Sequence, residues 1–73
     1  MITVFTHPEC EYSKMLINEL DDVGEEFQNI NLLVDPEFWT SVEKVCEGNR
    51  MTPLTIYSDG SHEVGFNGVA SKF

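Results

Sequence analysis

Cys10 sits where a thiol can do chemistry. It lies in the stretch Thr6-His7-Pro8-Glu9-Cys10-Glu11-Tyr12-Ser13, after the apolar run Ile2-Thr3-Val4-Phe5 and before an amphipathic segment, Lys14 to Val23. A strand delivers the chain to a turn at Pro8, and the turn delivers Cys10 to the start of a helix. There the thiol meets backbone N–H groups that lack an intrahelical partner, and the positive end of the helix dipole. Both favour the thiolate, which is the nucleophilic form. Ser13, one turn along, is placed to hydrogen-bond that thiolate or to cap the helix. Glu9 and Glu11 work the other way. Their charges are expected to raise the Cys10 pKa and to repel an anionic thiol, modestly so at exposed positions. His7 either returns some positive charge when protonated or is a surface histidine. An inert buried Cys10 is not expected, because Pro8 and two glutamates are odd neighbours in a core.

These residues need elements to hold them. Ile2 to Thr6 predicts a strand. Ser13, Leu16, Ile17 and Leu20 recur at helical spacing, Tyr12 and Val23 extend the same face, and Gly24 closes the helix. Phe27 to Leu33 predicts a second strand with imperfect alternation. Asp35-Pro36-Glu37 reads as a helix start with an acceptor cap and proline in the first turn. That helix carries the stripe Phe38, Val42, Val45 and Cys46, has Trp39 at its margin, and ends at Gly48-Asn49. Leu54 to Tyr57 and His62 to Phe66 form a hairpin about Asp59-Gly60. Val69 to Phe73 leaves room for only a stub of a last helix. The order is β-α-β-α-β-β: a right-handed parallel crossover followed by a hairpin, which makes a small α/β domain with a mixed four-stranded sheet.

Composition bounds the rest. With 73 residues the chain is one domain, 1–73, near the lower size for folding without staples. Two cysteines are too few for a secreted disulfide framework. No signal peptide is expected, since Met1 leads straight into the first strand, and no apolar run approaches a membrane span. A cytoplasmic location follows as the expectation. Thirteen acids against four Lys and Arg give a net charge of −9. That argues against nucleic-acid and anionic-membrane partners and allows a basic protein partner. His7-x-x-Cys10 is at most half a metal site, Cys46 and His62 form no second close pair, and no metal is expected. Cys46 reads as a small buried hydrophobe.

Three segments together resemble the glutaredoxins, the small members of the thioredoxin fold. Val4 to Ser13 is similar to the family's active-site turn, where a Lys-Pro pair leads into Cys-Pro-Tyr-Cys or Cys-x-x-Ser. Gly48-Asn49-Arg50-Met51-Thr52-Pro53 resembles the segment ending in Thr-Val-Pro, whose proline is cis. Asp59-Gly60 with Val64-Gly65-Phe66-Asn67 resembles the last hairpin and its glycine turn. The likeness spans essentially the whole chain, and its second and third segments also resemble bacterial glutaredoxin-like redoxins, mycoredoxins among them. The departures are Ser13 in place of the second cysteine, His7 for Lys, the flanking Glu9 and Glu11, Met51-Thr52 for Thr-Val, and a nearly absent closing helix.

The resemblance implies a monothiol thiol–disulfide oxidoreductase. Cys10 attacks a mixed disulfide, Ser13 cannot resolve it, and a low-molecular-weight thiol, glutathione or an equivalent, clears it. It implies that Tyr12 presents its ring beside the thiol, with core packing as the rival role. A cis Pro53 would turn the Thr52 backbone toward Cys10, so that an extended thiol or peptide pairs there as an added strand. Arg50 would hold a carboxylate, and the Gly65, Phe66 and Asn67 N–H groups a second one. Partners would be thiol-bearing or glutathionylated proteins, met as a monomer. Two rival readings remain. One is a dimeric carrier of an iron–sulfur cluster held by Cys10 and a small thiol, disfavoured by Glu11 and Tyr12 where such proteins carry Gly and Phe. The other is a redox-inactive adaptor, which would tolerate Cys10→Ser. Dithiol reduction of ribonucleotide reductase is disfavoured, because it needs a cysteine in place of Ser13.

Overall fold

β1 (Ile2–Thr6) is the strand around which the others assemble, because Val4 and Phe5, which point to opposite faces, are both buried. The computed structural model describes residues 1–73, and the elements after β1 are α1 (Glu11–Asp22), β2 (Phe27–Asn31), a 3₁₀ turn (Pro36–Phe38) running into α2 (Trp39–Val45), β3 (Met51–Thr52), β4 (Leu54–Ile56), β5 (His62–Val64) and β6 (Ser71–Lys72). β2 pairs parallel with β1 from Ile2↔Phe27 to Thr6↔Asn31, and α1 is the crossover that a parallel pair requires. β4 pairs antiparallel on the other side, Val4 opposite Thr55 and Phe5 opposite Leu54. β5 returns from the Asp59-Gly60 turn to pair with β4, which gives the sheet order β2-β1-β4-β5. This is the mixed four-stranded sheet of a thioredoxin-like, glutaredoxin-type α/β fold.

The helices cover both faces. Phe5 and Leu54 pack with Leu32, Trp39 and Val42 in the main core. On the opposite face Leu16 and Leu20 of α1 line one groove with Ile2 and Thr55. Gly24 follows α1 with φ 73°, and the chain reverses there through Gly24 N–H to Asp21 C=O and Glu25 N–H to Leu20 C=O. Val23 is not on the buried face; it caps the helix and is exposed. No helix is long and apolar enough to cross a membrane.

Four expectations are corrected. β2 stops at Asn31 rather than Leu33, because the Asn31 Oδ1 accepts from the N–H groups of Leu33 and Val34 and turns the chain. Asp35 makes no side-chain cap; Pro36 to Phe38 forms a 3₁₀ turn instead. The tighter turn rotates the apolar stripe. Trp39, placed at the margin by sequence, is 7% exposed and in the core, whereas Phe38 is 37% exposed. Finally, the tail forms no helix stub: Ser71–Lys72 is a strand that pairs antiparallel with Met51–Thr52.

The return of that tail depends on a turn in which Phe66 and Val69 exchange two backbone hydrogen bonds, of 2.8 and 3.0 Å. Gly65 enters it with φ +91°, and a Cβ there would lie 2.6 Å from the Val69 carbonyl oxygen. Gly65→Ala is expected to cost about 2 to 3 kcal/mol in urea denaturation, from backbone strain and overlap together.

Candidate active site

The turn before α1 is built to present one sulfur. Pro8 and Glu9 form a tight turn closed by Cys10 N–H to His7 C=O at 3.0 Å. Cys10 is the N-cap residue of α1, with extended backbone, and its Sγ accepts from Ser13 N–H at 3.4 Å. Sulfur thus takes the role usually filled by the oxygen of Ser or Asp, and answers one of the orphan N–H groups of the helix start. The protonated thiol donates to the Thr52 carbonyl at 3.4 Å, which ties the turn to β3. The Thr52-Pro53 bond is cis, and both residues are buried. Thr52 Oγ1 is the one buried side-chain oxygen with no hydrogen-bond partner, and a thiolate at Cys10 gives it one.

Burial is the largest single influence on Cys10 and pushes its pKa up. The side-chain hydrogen bonds of Ser13, Ser71 and Thr52 and the Ser13 N–H together outweigh it, and the pKa falls from 9.0 to about 7. Glu9 and Glu11 are exposed. The opposition that the sequence assigned to their charges comes instead from desolvation. The shift has a stability consequence. Between about pH 7 and pH 9 the unfolded chain holds a proton that the native thiolate has released, so stability rises with pH across that window. The contribution is lost as pH falls through the folded value. We expect it to be on the order of 1 to 2 kcal/mol, read as the difference between urea-denaturation profiles of the unaltered chain and Cys10→Ser.

The remaining sequence candidates fall into three groups. His7 is buried, not on the surface: its N–H points to Ser13 Oγ at 3.4 Å, its Nδ1 accepts from Glu9 N–H at 3.1 Å, and its ring faces Phe73 at 4.3 Å. The Nδ1 acceptor places the proton of the neutral ring on Nε2. Tyr12 is half-buried in the first turn of α1. Arg50 already holds a carboxylate, that of Glu43 at 3.2 Å, and lies 5.3 Å over the Trp39 ring. That ion pair is exposed and worth about 0 to 1 kcal/mol, so it is exchangeable. In the glycine turn, Gly65 N–H donates to Pro53 C=O and Phe66 N–H to Val69 C=O, whereas Asn67, at φ 53°, makes no backbone hydrogen bond through its N–H.

Cys46 caps the end of α2, half-buried against the main core, and burial pushes its thiol pKa up. The structure does not gather His7, Cys10, Cys46 and His62 into a metal-holding group. Ser71, Trp39 and Phe73 were missed by sequence reasoning. Ser71 and Phe73 lie in β6 and directly after it, where placement could not be read locally, and only the pairing of β6 with β3 brings them beside Thr52 and the His7 and Trp39 rings.

The glutaredoxin family model matches residues 2–63. Mycoredoxin 1 of Corynebacterium glutamicum is 36% identical over 61 residues, covering 84% of this chain and 75% of that protein, with the same figures in a second strain. No solved structure gives a significant match. Matched over most of its length by the family model and by these relatives, the chain belongs to the glutaredoxin family and is a thiol oxidoreductase of that type.

Proposed function

We propose that the chain reduces mixed disulfides by a monothiol route through Cys10, with glutathione or an equivalent low-molecular-weight thiol as reductant. The observation that carries this reading is that the lowered-pKa sulfur of Cys10 has a serine, not a second sulfur, across the helix turn, while Cys46 sits in the core side of α2 with its pKa raised. The Cys10 thiolate attacks the small-thiol sulfur of a protein–S–S–R disulfide. A bond forms between Cys10 and that sulfur, the original S–S bond breaks, and the protein leaves as a thiolate that takes up a proton. A second R–SH, as thiolate, attacks the R sulfur held on Cys10 and releases the Cys10 thiolate. The net exchange is protein–S–S–R plus R–SH to protein–SH plus R–S–S–R.

Ser13 and Thr52 hold the charge of Cys10 each time it is released. Arg50 offers a guanidinium that exchanges Glu43 for a carboxylate of the thiol, and Asn67 an N–H. His7 and Tyr12 lie on the same turn, three residues before and two residues after Cys10. The substrates on this reading are glutathionylated or other thiol-bearing proteins, met by a monomer in the cytoplasm. Mass spectrometry during turnover on a glutathionylated protein tests it. A Cys10–small-thiol adduct, with Cys46→Ala fully active, is the expected result. A disulfide between Cys10 and Cys46, or activity lost with Cys46→Ala, would overturn it.

A further inference from the structure

The alternation of β2 breaks on the face that α1 covers. In the parallel ladder Asn29 stands beside Val4 and Asn31 beside Thr6, so both amides rise from that inner face. Together with Thr6, Ser13, Lys14 and Asn18 they line a cavity of about 430 Å³ between α1 and the ends of β1 and β2. That is the size of a small-molecule site. The cavity touches the thiol turn through His7 and Ser13, yet Cys10, Thr52 and Arg50 take no part in it.

We propose that this cavity binds a small molecule by a terminal oxyanion, phosphate or carboxylate, held by the side-chain amides of Asn29 and Asn31 and the ammonium of Lys14. Three observations support this. First, the amides present donors. Asn31 Oδ1 accepts from the backbone N–H groups of Leu33 and Val34, at 2.9 and 3.4 Å. A backbone N–H only donates, so the atom that meets it is the oxygen, and the Nδ2 hydrogens are left over. Asn29 Oδ1 is likewise taken by the Thr6 hydroxyl, at 2.6 Å. Neither Nδ2 donates to another protein atom. Second, the charge of the lining runs against that of the chain. Thirteen Asp and Glu oppose four Lys and Arg overall, yet no carboxylate lines this cavity, and Lys14 does. The Lys14 pair with Glu11, 3.7 Å long, is exposed and weak, so an incoming oxyanion displaces it. Third, the donors are fixed in advance. The strand ladder and the internal bonds hold both amides, and Thr6 and Ser13, 6% and 2% exposed, are buried beneath. Two asparagines on the inner face of a strand bury little apolar surface, and a donor set for an oxyanion accounts for side chains that packing does not.

The site goes beyond the mixed-disulfide reading and shares no reacting group with it. The experiment reads binding and not turnover, so the two fail separately. Glycerol phosphate, glycerate and glycerol share one carbon skeleton and differ in the oxyanion. Each is titrated into the chain at about 0.15 M salt, where distant surface charges are screened, and the side-chain amide signals of Asn29 and Asn31 are followed by heteronuclear NMR. Saturable shifts with a dissociation constant on the order of 1 to 10 mM are expected for one or both anions, and none for glycerol. Response to one anion alone identifies the group bound. Asn29→Asp and Asn31→Asp keep the accepting oxygen and replace the donor with negative charge. Each is expected to weaken binding at least about tenfold, read at the remaining amide. Gln28→Glu adds the same charge on the other face of β2 and is expected to leave binding within about twofold. Equal shifts with glycerol overturn the oxyanion requirement. No saturable shift with either anion, or an equal loss in Gln28→Glu and the two Asp variants, overturns the site. If an Asp variant fails to fold, Lys14→Gln decides, because that side chain is 57% exposed. Binding weakened about threefold or more supports the proposal, and unchanged affinity overturns it.

Discussion

Cys10→Ser lowers the rate of mixed-disulfide reduction at least about a thousandfold, while Cys46→Ala leaves it within about twofold. The asymmetry follows from position. Both residues are free thiols of one small domain. One is the cap of α1, with the Ser13 N–H on its sulfur, and the hydroxyls of Ser13, Ser71 and Thr52 help to lower its pKa to about 7. At neutral pH such a thiol is about half ionised, whereas an ordinary cysteine is a few per cent thiolate. The other packs at the edge of the core, where burial favours the neutral thiol. A hydroxyl at position 10 keeps the cap but cannot be the leaving or attacking sulfur, so the fold persists and the chemistry stops. Steady-state reduction of a glutathionylated peptide reads the effect directly. Activity retained in Cys10→Ser would return the chain to the adaptor reading.

Trp39→Ala is expected to cost about 3 to 5 kcal/mol. A domain of this length has about 4 to 11 kcal/mol of stability in total. The substitution therefore removes a large part of it and lowers the midpoint of thermal unfolding by roughly 15 to 30 °C. The reason lies in what the ring touches. Trp39 is 7% exposed and joins Phe5, Leu32, Val42 and Leu54, which unite α2, β1, β4 and the chain after β2. Its outer side carries Arg50 and lies against Phe73. Alanine leaves a cavity at the meeting point of the main core and the thiol wall. Trp39→Phe fills much of that space and is expected to recover more than half of the loss. Thermal denaturation followed by circular dichroism measures both, and a midpoint lowered by only a few degrees would show that the ring is not a core member.

Much of this was legible from the residues. The strand–turn–helix unit around Cys10 was written in Ile2 to Phe5, Pro8 and the spacing of Ser13, Leu16, Ile17 and Leu20. The parallel crossover through α1 and the β4–β5 hairpin were legible as well, whereas the pairing of β1 with β4 that sets the sheet order was not. Thr52 and Pro53 were placed by family likeness, and the structure sets the Thr52 carbonyl on the thiol. What failed was long-range or a matter of phase. Trp39 was misjudged because the helix start at Asp35-Pro36 is a 3₁₀ turn, and such a turn changes the angle at which every later side chain leaves the axis. Val23 fits the periodic face of α1, yet it lies where the helix has already ended. Ser71-Lys72 carries no periodicity at all. A two-residue strand is specified by its partner across the fold, so the residue that adds a hydroxyl to the thiol had no local signal. The glutamates beside Cys10 were weighed as the main opposition, but solvent surrounds them, and burial of the sulfur proved the larger influence.

The most direct test is the pH dependence of Cys10 ionisation in Cys46→Ala, followed by thiolate absorbance, which reads the charge itself. A midpoint near 7 is the predicted result, with the thiolate present above it and lost as pH falls through it. A midpoint at or above the free-cysteine value, about 8.5, would mean that the hydrogen bonds of Ser13, Ser71 and Thr52 do not overcome burial, and it would contradict Cys10 as the nucleophile of a neutral-pH oxidoreductase.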